Sequence, residues 1–454
     1  VACLPSLSGT FSPGGTTPLS SSERLVIAVD LGTTTLAASL LDAVTGERLA
    51  VAGSLNPQRE FGADVVSRLD AACRSDDARR LMAELVRGEI CRLAHGLLDD
   101  AGKLPEHLAA MAVAGNPAME HLLLELPVNS LAFPPYRPLF AAGKTVPAPE
   151  LGWDLPAEVF LFPLPGGFVG GDTVAFLHGV SGPRSPVPGP CLYLDLGTNG
   201  EIALAFGGKL VATSAAAGPA FEGGNLSCGM AALPGAISGV ALEGERLLLT
   251  TIGVKPAAGI CGSGVLATIA LLLGQGIIDQ TGRLLPPEEI PSGLGNRVMT
   301  VGEELSFVLH RDAARTVRLS QGDIRQVQLA KGAIRAGMEV LLERAGVGGG
   351  DVAGVVLTGS FGAVLDPATL KSVGILTENM VQTTSFVREG TLRGVERALL
   401  APGGFAAVNH LAEKVRVIPL SGTPAFEKHF LQQINFPQFR WTSATETQST
   451  EKKQ

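Results

Sequence analysis

Two stretches of the chain share one pattern of apolar and polar positions. Residues 26–35 read Val-Ile-Ala-Val-Asp-Leu-Gly-Thr-Thr-Thr, and residues 191–200 read Cys-Leu-Tyr-Leu-Asp-Leu-Gly-Thr-Asn-Gly. Each is a short apolar run, as a strand covered on both faces requires, then Asp-Leu-Gly-Thr, then a second strand-like run at Leu36 to Leu41 or Glu201 to Phe206. The pattern predicts a buried strand, a tight turn and a second strand in both places, and its recurrence predicts duplicated halves. Helical spacing covers 76–102, ending near Gly102, and 323–345, where Ile324, Val327, Ala330, Ile334, Met338 and Leu341 share one face. Asp323 reads as the N-cap of that second helix and Gly346 as its stop. The most apolar stretch, Val265 to Ile278, is interrupted at Gly274 to Gly276, is too short to span a bilayer, and reads as a buried helix. Strand-like and helical segments alternate, which predicts an α/β fold.

The Pro- and Gly-rich stretch Pro183 to Pro190 marks the boundary between the halves. The expected organisation is a Ser-, Thr-, Gly- and Pro-rich segment over 1–22, a first half over 23–188, a second over 189–437, and a disordered polar tail over 438–454. The opening segment reads equally as a tether to another domain or as a frayed terminus. Composition narrows the field. Of 454 residues, 46% are apolar and only 17% charged, against about 25% usually, which excludes a disordered chain or a coiled coil. The 57 glycines imply many tight turns and close backbone approaches. A net charge of −8 argues against nucleic acid or a membrane surface as partner. The six cysteines make no Cys-x-x-Cys pair and match no zinc or iron–sulfur spacing. Scattered thiols and the lack of a signal-peptide pattern at the start predict a cytoplasmic protein.

A strand–Asp-x-Gly-Thr–strand turn has a specific chemical use. Its glycine admits a ligand close to the backbone, consecutive N–H groups form an anion nest, and Thr33, Thr34 and Thr35 add hydroxyl donors for phosphate oxygens. An Asp at the strand end cannot face phosphate unaided, so Mg2+ is expected between them. Two such turns facing each other would grip a polyphosphate, with Asp30 and Asp195 sharing the metal; one alone is as readily a plain hairpin. A third segment, Ala353 to Pro367, runs as a buried strand into Gly359-Ser360-Phe361-Gly362, which suits close packing on a nucleoside.

Asp30-Leu31-Gly32-Thr33, Asp195-Leu196-Gly197-Thr198 and Thr358-Gly359-Ser360-Phe361-Gly362 resemble the phosphate-1, phosphate-2 and adenosine motifs of the actin, sugar kinase and heat-shock chaperone ATPases. Further segments narrow the resemblance to the reductive activators of corrinoid proteins: Asn56-Pro57-Gln58, Phe61 to Val65, Ala114 to Pro117, Gly170 to Thr173, Ala217 to Gly223 through Ser227 to Met230, Gly259 to Gly264, Gln328 to Ile334 and Leu420 to Gly422. It covers roughly residues 25 to 437. The resemblance implies two duplicated actin-like (ribonuclease H-like) ATPase halves around a nucleotide cleft. It implies an ATPase that restores Co(I) in a corrinoid methyl carrier after oxidation to Co(II), with ATP and Mg2+ as cofactors and a homodimeric assembly. It implies phosphate contacts from Thr198, Asn199 and Gly200, a backbone cradle at Gly218, Pro219, Glu222 and Gly223, and nucleoside contacts from Gly359, Ser360 and Phe361. Lys331 would approach the adenosine, its other reading being a solvated lysine. Asp172 would place the attacking water, with Glu222 or Glu201 as competing carboxylates. Such activators also carry an iron–sulfur domain as electron source. No cysteine set here ligates a cluster, so the chain is either a fragment or a form served by a separate iron–sulfur donor. A second departure lies at Phe386 to Gly390, where the family pattern calls for Gly-Asn near Arg388 and Glu389.

Other signals carry little. Ala142-Gly143-Lys144-Thr145 has Pro138 where a P-loop needs glycine. The histidines show no ligand spacing among themselves, and Cys228 and Cys261 read as packed thiols. Two alternatives stay open: a small-molecule kinase of the same superfamily, and a nucleotide-switched binding module.

Overall fold

The computed structural model describes residues 24–180, 189–359 and 365–438. The segment 1–22, most of the Pro183 to Pro190 boundary, Ser360, Phe361 and the tail from 439 lie outside the described residues.

Each half is built on a six-stranded mixed sheet. In the first, β1 (Leu25–Leu31), β2 (Thr35–Asp42), β3 (Arg48–Leu55), β4 (Leu108–Gly115), β5 (Lys144–Pro147) and β6 (Glu158–Leu161) lie in the order β3-β2-β1-β4-β6-β5. In the second half, β7 (Cys191–Leu196), β8 (Asn199–Phe206) and β9 (Lys209–Ala216) form a meander. Two three-stranded sheets follow, one of β10 (Ala236–Glu243), β11 (Arg246–Thr251) and β12 (Gly259–Ile260), the other of β13 (Val298–Val301), β14 (Glu304–Arg311) and β15 (Thr316–Ser320). Then β16 (Gly354–Thr358), β17 (Thr384–Phe386) and β18 (Val415–Val417) complete the main sheet as β17-β16-β7-β8-β9-β18. In both halves an antiparallel three-strand meander is followed by two parallel additions beside its first strand: β4 and β6 beside β1, β16 and β17 beside β7. The duplication seen in the sequence is therefore a duplication of topology. Each half adds one edge strand of its own, β5 or β18.

The apolar run Leu25 to Val29 is buried because β1 is central and covered on both faces. One side packs on the Asp76–Asp100 helix through Met82, Val86, Ile90, Leu93 and Leu97. On the other side, Val26, Ala28, Ala112 and Ala114 meet Val174 and Ala175 of the Gly171–Val180 helix and Leu392, Val395 and Ala398 of the Gly390–Leu400 helix. Leu177 of the former packs with Ala203 and Ala212 of the second sheet. The Gly171–Val180 helix thus lies between the two sheets. The Gly390–Leu400 helix, which follows β17 of the second half, is built into the core of the first.

These two helices touch backbone to backbone. A Cβ on Gly394 would stand 1.7 Å from the Ala175 carbonyl oxygen, and one on Gly179 would stand 2.9 Å from the Gly394 nitrogen. Gly394→Ala must push the helices apart, an overpacking cost of about 1–3 kcal/mol. A lower thermal midpoint than wild type is expected; an unchanged one would contradict this account of the contact.

The Gln321–Ala345 helix and the Gly262–Gly274 helix occupy the stretches read as helical. The N-cap of the first is corrected. Ser320 is the cap, accepting from the Asp323 N–H, while Asp323 at the third helical position accepts from the Ser320 N–H in a reciprocal capping box. Gly346 ends the helix with φ +65°.

Candidate functional site

The two Asp-Leu-Gly-Thr turns face each other across the junction of the halves. Gly32 makes the first turn possible: a Cβ there would stand 2.5 Å from the Thr35 carbonyl oxygen. The turn is held from behind by Asn56, whose Nδ2 donates to the Gly32 carbonyl at 2.9 Å, and by Asn116, whose Nδ2 donates to Thr33 Oγ1 at 2.9 Å. Thr34 Oγ1 lies 2.8 Å from Thr198 Oγ1 of the second turn. Both hydroxyls reach one carboxylate oxygen, Glu222 Oε2: Thr34 donates to it at 2.8 Å, and Thr198 bonds it as well. Residues 34, 198 and 222 come from three segments of the chain and close on one point.

Around that point the fold collects acidic groups. Asp30 is the last-but-one residue of β1, and Asp195 holds the same place in β7. Glu201 is the cross-strand partner of Asp195 on β8. Asp172 opens the Gly171–Val180 helix, with its Oδ1 accepting from the Thr173 N–H at 2.6 Å. Burial drives all of them toward the protonated form. Asp30 is held well above the usual carboxylate range by burial, then by the charges of Asp195, Asp172, Glu389 and Glu222. Asp195 is pushed up to about 7 by burial and by Asp172, against a hydrogen bond from Thr391. Burial raises Asp172 to about 6, opposed by the Thr173 hydrogen bonds. Burial and the charges of Asp172 and Asp195 hold Glu201 well above its ordinary value. Glu222 is raised by burial and lowered by its threonine bonds. Carboxylates that raise one another's pKa need a cation to ionise together. A hard divalent ion with oxygen ligands, such as Mg2+, fits this donor set.

In the folded protein Asp172 and Asp195 hold protons up to about pH 6 and 7, whereas unfolded carboxyls release theirs near 4. The unfolded state binds fewer protons between those limits, so this cluster's contribution to stability falls as pH rises from about 4 to 7. A cation reverses that loss. Mg2+ with a non-hydrolysable ATP analogue is expected to raise the thermal midpoint more at pH 7.5 than at pH 5.5. An equal rise at both would contradict the cluster's assignment.

Beside the carboxylates, a one-turn helix Pro219–Glu222 is bracketed by Gly218 at φ +76° and Gly223 at φ +80°. Among the described residues, nothing but its own chain neighbours lies within 4 Å of where a Gly218 Cβ would be, so that side of the loop is open, whereas a Gly223 Cβ would stand 2.3 Å from the Met230 carbonyl oxygen. The loop is pinned further along, where Ser227 donates through N–H and Oγ to Asp323 at 2.8 and 2.6 Å. Gly359 follows β16 with φ +142°.

Thr35, Asn199 and Gly200 are strand residues at the starts of β2 and β8. The bareness of Gly200 serves packing: its Cβ would stand 1.7 Å from Ile334 Cδ1 of the Gln321–Ala345 helix. Lys331 is not solvated; it is 1% exposed. Its Nζ donates to the carbonyl of Gln433 at 2.5 Å and to that of Asn435, and sits 5.2 Å from the Phe436 ring centre. Burial lowers it to about 8. It lines a pocket of about 570 Å3 with Arg335, Lys371 and Gly374, and is not drawn into the Thr34–Glu222–Thr198 contact.

Two residues at the site went unread in the sequence. Thr391 Oγ1 donates to Asp195 Oδ2 at 3.3 Å, one residue after the Gly390 N–H donates to Thr358 Oγ1 at 2.9 Å. This is the segment where the sequence departs from the family pattern. Glu120, fully buried, accepts from the Gly115 N–H at 3.1 Å and is held well above the ordinary carboxylate range by burial.

Comparison with known proteins agrees with this architecture. Residues 25–181 match the RACo middle region, and residues 189–448 match the C-terminal domain of RACo, the ASKHA domain. The chain is 30% identical over 427 residues to the corrinoid activation enzyme RamQ of Eubacterium limosum, covering 90% of this chain and 70% of that protein. It is 26% identical over 383 residues to the [Co(II) methylated amine-specific corrinoid protein] reductase of Methanosarcina barkeri, covering 77% and 65%. A solved reductive activator for a corrinoid, iron–sulfur protein superposes with a TM-score of 0.84 at 30% identity, covering 92% of this chain and 67% of that one.

Proposed function

Because this chain belongs to the RACo family, spanning its middle region and its C-terminal ASKHA domain, we propose that it hydrolyses ATP to drive the reductive activation of a corrinoid protein, from Co(II) to Co(I). The observation that carries the reading is the Thr34–Glu222–Thr198 contact, which ties the two phosphate turns together amid partly buried carboxylates.

In this reading Asp30 and Asp195 would hold Mg2+, which would neutralise charge on the polyphosphate. Gly32, Thr33, Thr34 and Thr35 with Gly197, Thr198, Asn199 and Gly200 line the phosphates from two sides, and Gly218, Pro219, Glu222 and Gly223 cradle them from a third. Gly359, Ser360 and Phe361 take the nucleoside, with Lys331 on the same half. Asp172 accepts the proton of the attacking water. Two observations favour it over its neighbours. Its pKa of about 6 leaves it ionised yet basic at neutral pH, as a general base should be. Burial and the charges of Asp172 and Asp195 hold Glu201 well above its ordinary range, and Glu222 already accepts from two hydroxyls.

The Gly390–Leu400 helix supplies a path from phosphate to shape. Its first turn touches Asp195 through Thr391. Its body is packed on the first sheet and clamped there: Arg48 of β3 pairs with Glu389 at 2.7 Å and Glu396 at 2.6 Å, and Ser39 of β2 donates to Glu396. Loss of the γ-phosphate beside Asp195 would be felt by a helix rooted in the other half, and so by the surface on which the corrinoid protein sits. The electron comes from an iron–sulfur donor, separate or on a segment outside this chain, and is accepted by Co(II). Among the described residues no helix is long and apolar enough to cross a membrane.

Co(I) formation, followed by its absorbance in a mixture of this protein, a Co(II) corrinoid methyl carrier and a low-potential reductant, tests the proposal. ATP should accelerate Co(I) formation and a non-hydrolysable analogue should not. Equal rates with and without ATP would overturn it.

A further inference from the structure

Three potential metal donors of different kinds meet on the outer face of the first half. Cys91 and His95 lie four residues apart on the Asp76–Asp100 helix, so their side chains project from one face. Asp154 comes from the loop after the short helix Ala148–Leu151. His95 Nε2 is 2.8 Å from Asp154 Oδ1, and Cys91 Sγ is 3.5 Å from the same oxygen. One sulfur, one ring nitrogen and one carboxylate oxygen all lie within 4.8 Å of one another. Neither the spacing of the cysteines nor that of the histidines reveals the group, because it mixes donor types and its third donor lies 59 residues after His95.

From this geometry we infer that Cys91, His95 and Asp154 form a binding site for a borderline divalent ion, Zn2+ foremost. Zn–S of about 2.3 Å and Zn–N or Zn–O of about 2.0–2.1 Å, at tetrahedral angles, set ligand-to-ligand edges of about 3.3–3.6 Å. The sulfur–oxygen edge already has that length, and the nitrogen–oxygen edge reaches it by a small retreat of an exposed carboxylate. The mixed S, N, O set selects against Mg2+ and Ca2+, which take all-oxygen shells. The donors are also fixed in advance. Trp153, immediately before Asp154, is 2% exposed, and its indole Nε1 donates to the Arg87 carbonyl at 2.9 Å, one turn before Cys91 on the same helix. The loop is therefore pinned to the helix that supplies the other two ligands. Three protein ligands leave a fourth position for water or an added group. The site is independent of nucleotide and of the corrinoid reading.

Co2+ serves as the spectroscopic probe, titrated into the reduced, metal-free full chain. The expected result is a thiolate-to-cobalt charge-transfer band that saturates at one equivalent, with the strong visible bands of a four-coordinate site, displaced by Zn2+. Cys91→Ser should abolish the charge-transfer band. His95→Ala and Asp154→Asn should each weaken Co2+ binding by at least about 10–100-fold, while ATP turnover stays at the wild-type rate. Zn2+ should raise the thermal midpoint of wild type and leave that of Cys91→Ser unmoved. A band that survives Cys91→Ser, or Co2+ binding as tight in His95→Ala as in wild type, would overturn the site and leave a His95–Asp154 ion pair only.

Discussion

Asp195→Ala is expected to cut Mg-ATP turnover by about 10³-fold or more while making the metal-free protein more resistant to heat. The two effects come from one cause. Asp195 is the last-but-one residue of β7, is partly buried, and sits among Asp172, Glu201 and Glu222 with its pKa raised to about 7. Without a cation, that crowd costs stability, and removing one member relieves the repulsion. With a cation and ATP, the same crowd is what binds the metal, and electrostatic stabilisation of transferring phosphoryl charge is worth several kcal/mol. Turnover by phosphate release and the thermal midpoint without Mg2+ read the two arms. Retained turnover would remove Asp195 from the metal site. A lower midpoint would mean that the carboxylate is a structural partner, with Thr391 as its main bond.

Asp172→Asn should give the second largest effect. Loss of a general base lowers kcat by about 10²–10⁴-fold, and the amide keeps the size of the side chain, so KM for ATP should change by no more than a few-fold. Wild-type activity should rise with pH across about 6, where Asp172 loses its proton. The residual activity of the variant should lack that acid limb. A raised KM with an intact kcat would make Asp172 a binding group, and the search for the base would move to Glu222.

The parts of the fold that were legible in the sequence are those fixed by neighbours in the chain. The Asp-Leu-Gly-Thr turns could be read because the strand, the turn glycine and the returning strand lie within about twenty residues, and the Gly32 turn tolerates nothing larger. The Gln321–Ala345 helix was visible through its apolar face, but its first residue was not. Ser320 and Asp323 cap each other, and either alone has the chemistry of a cap. Lys331 shows a harder limit. Its burial is set by carbonyls at Gln433 and Asn435, about a hundred residues away, so nothing in its own helix separates it from a solvated lysine. The site has the same limit. Asp30, Asp195 and Glu222 could be named as acidic groups in turns. That Thr34 and Thr198 would both land on Glu222 is a tertiary fact spanning up to 188 positions. The Gly390–Leu400 helix is the extreme case, since its role depends on packing against strands more than 270 residues earlier, among them β1 and β4.

The most direct test of the central claim is phosphate release from Mg-ATP with and without a Co(II) corrinoid methyl carrier, with no small-molecule acceptor present. The account predicts slow release alone and clear stimulation by the carrier, lost in Asp195→Ala. Release that is indifferent to the carrier, or that appears only when a sugar or acid acceptor is added, would contradict it.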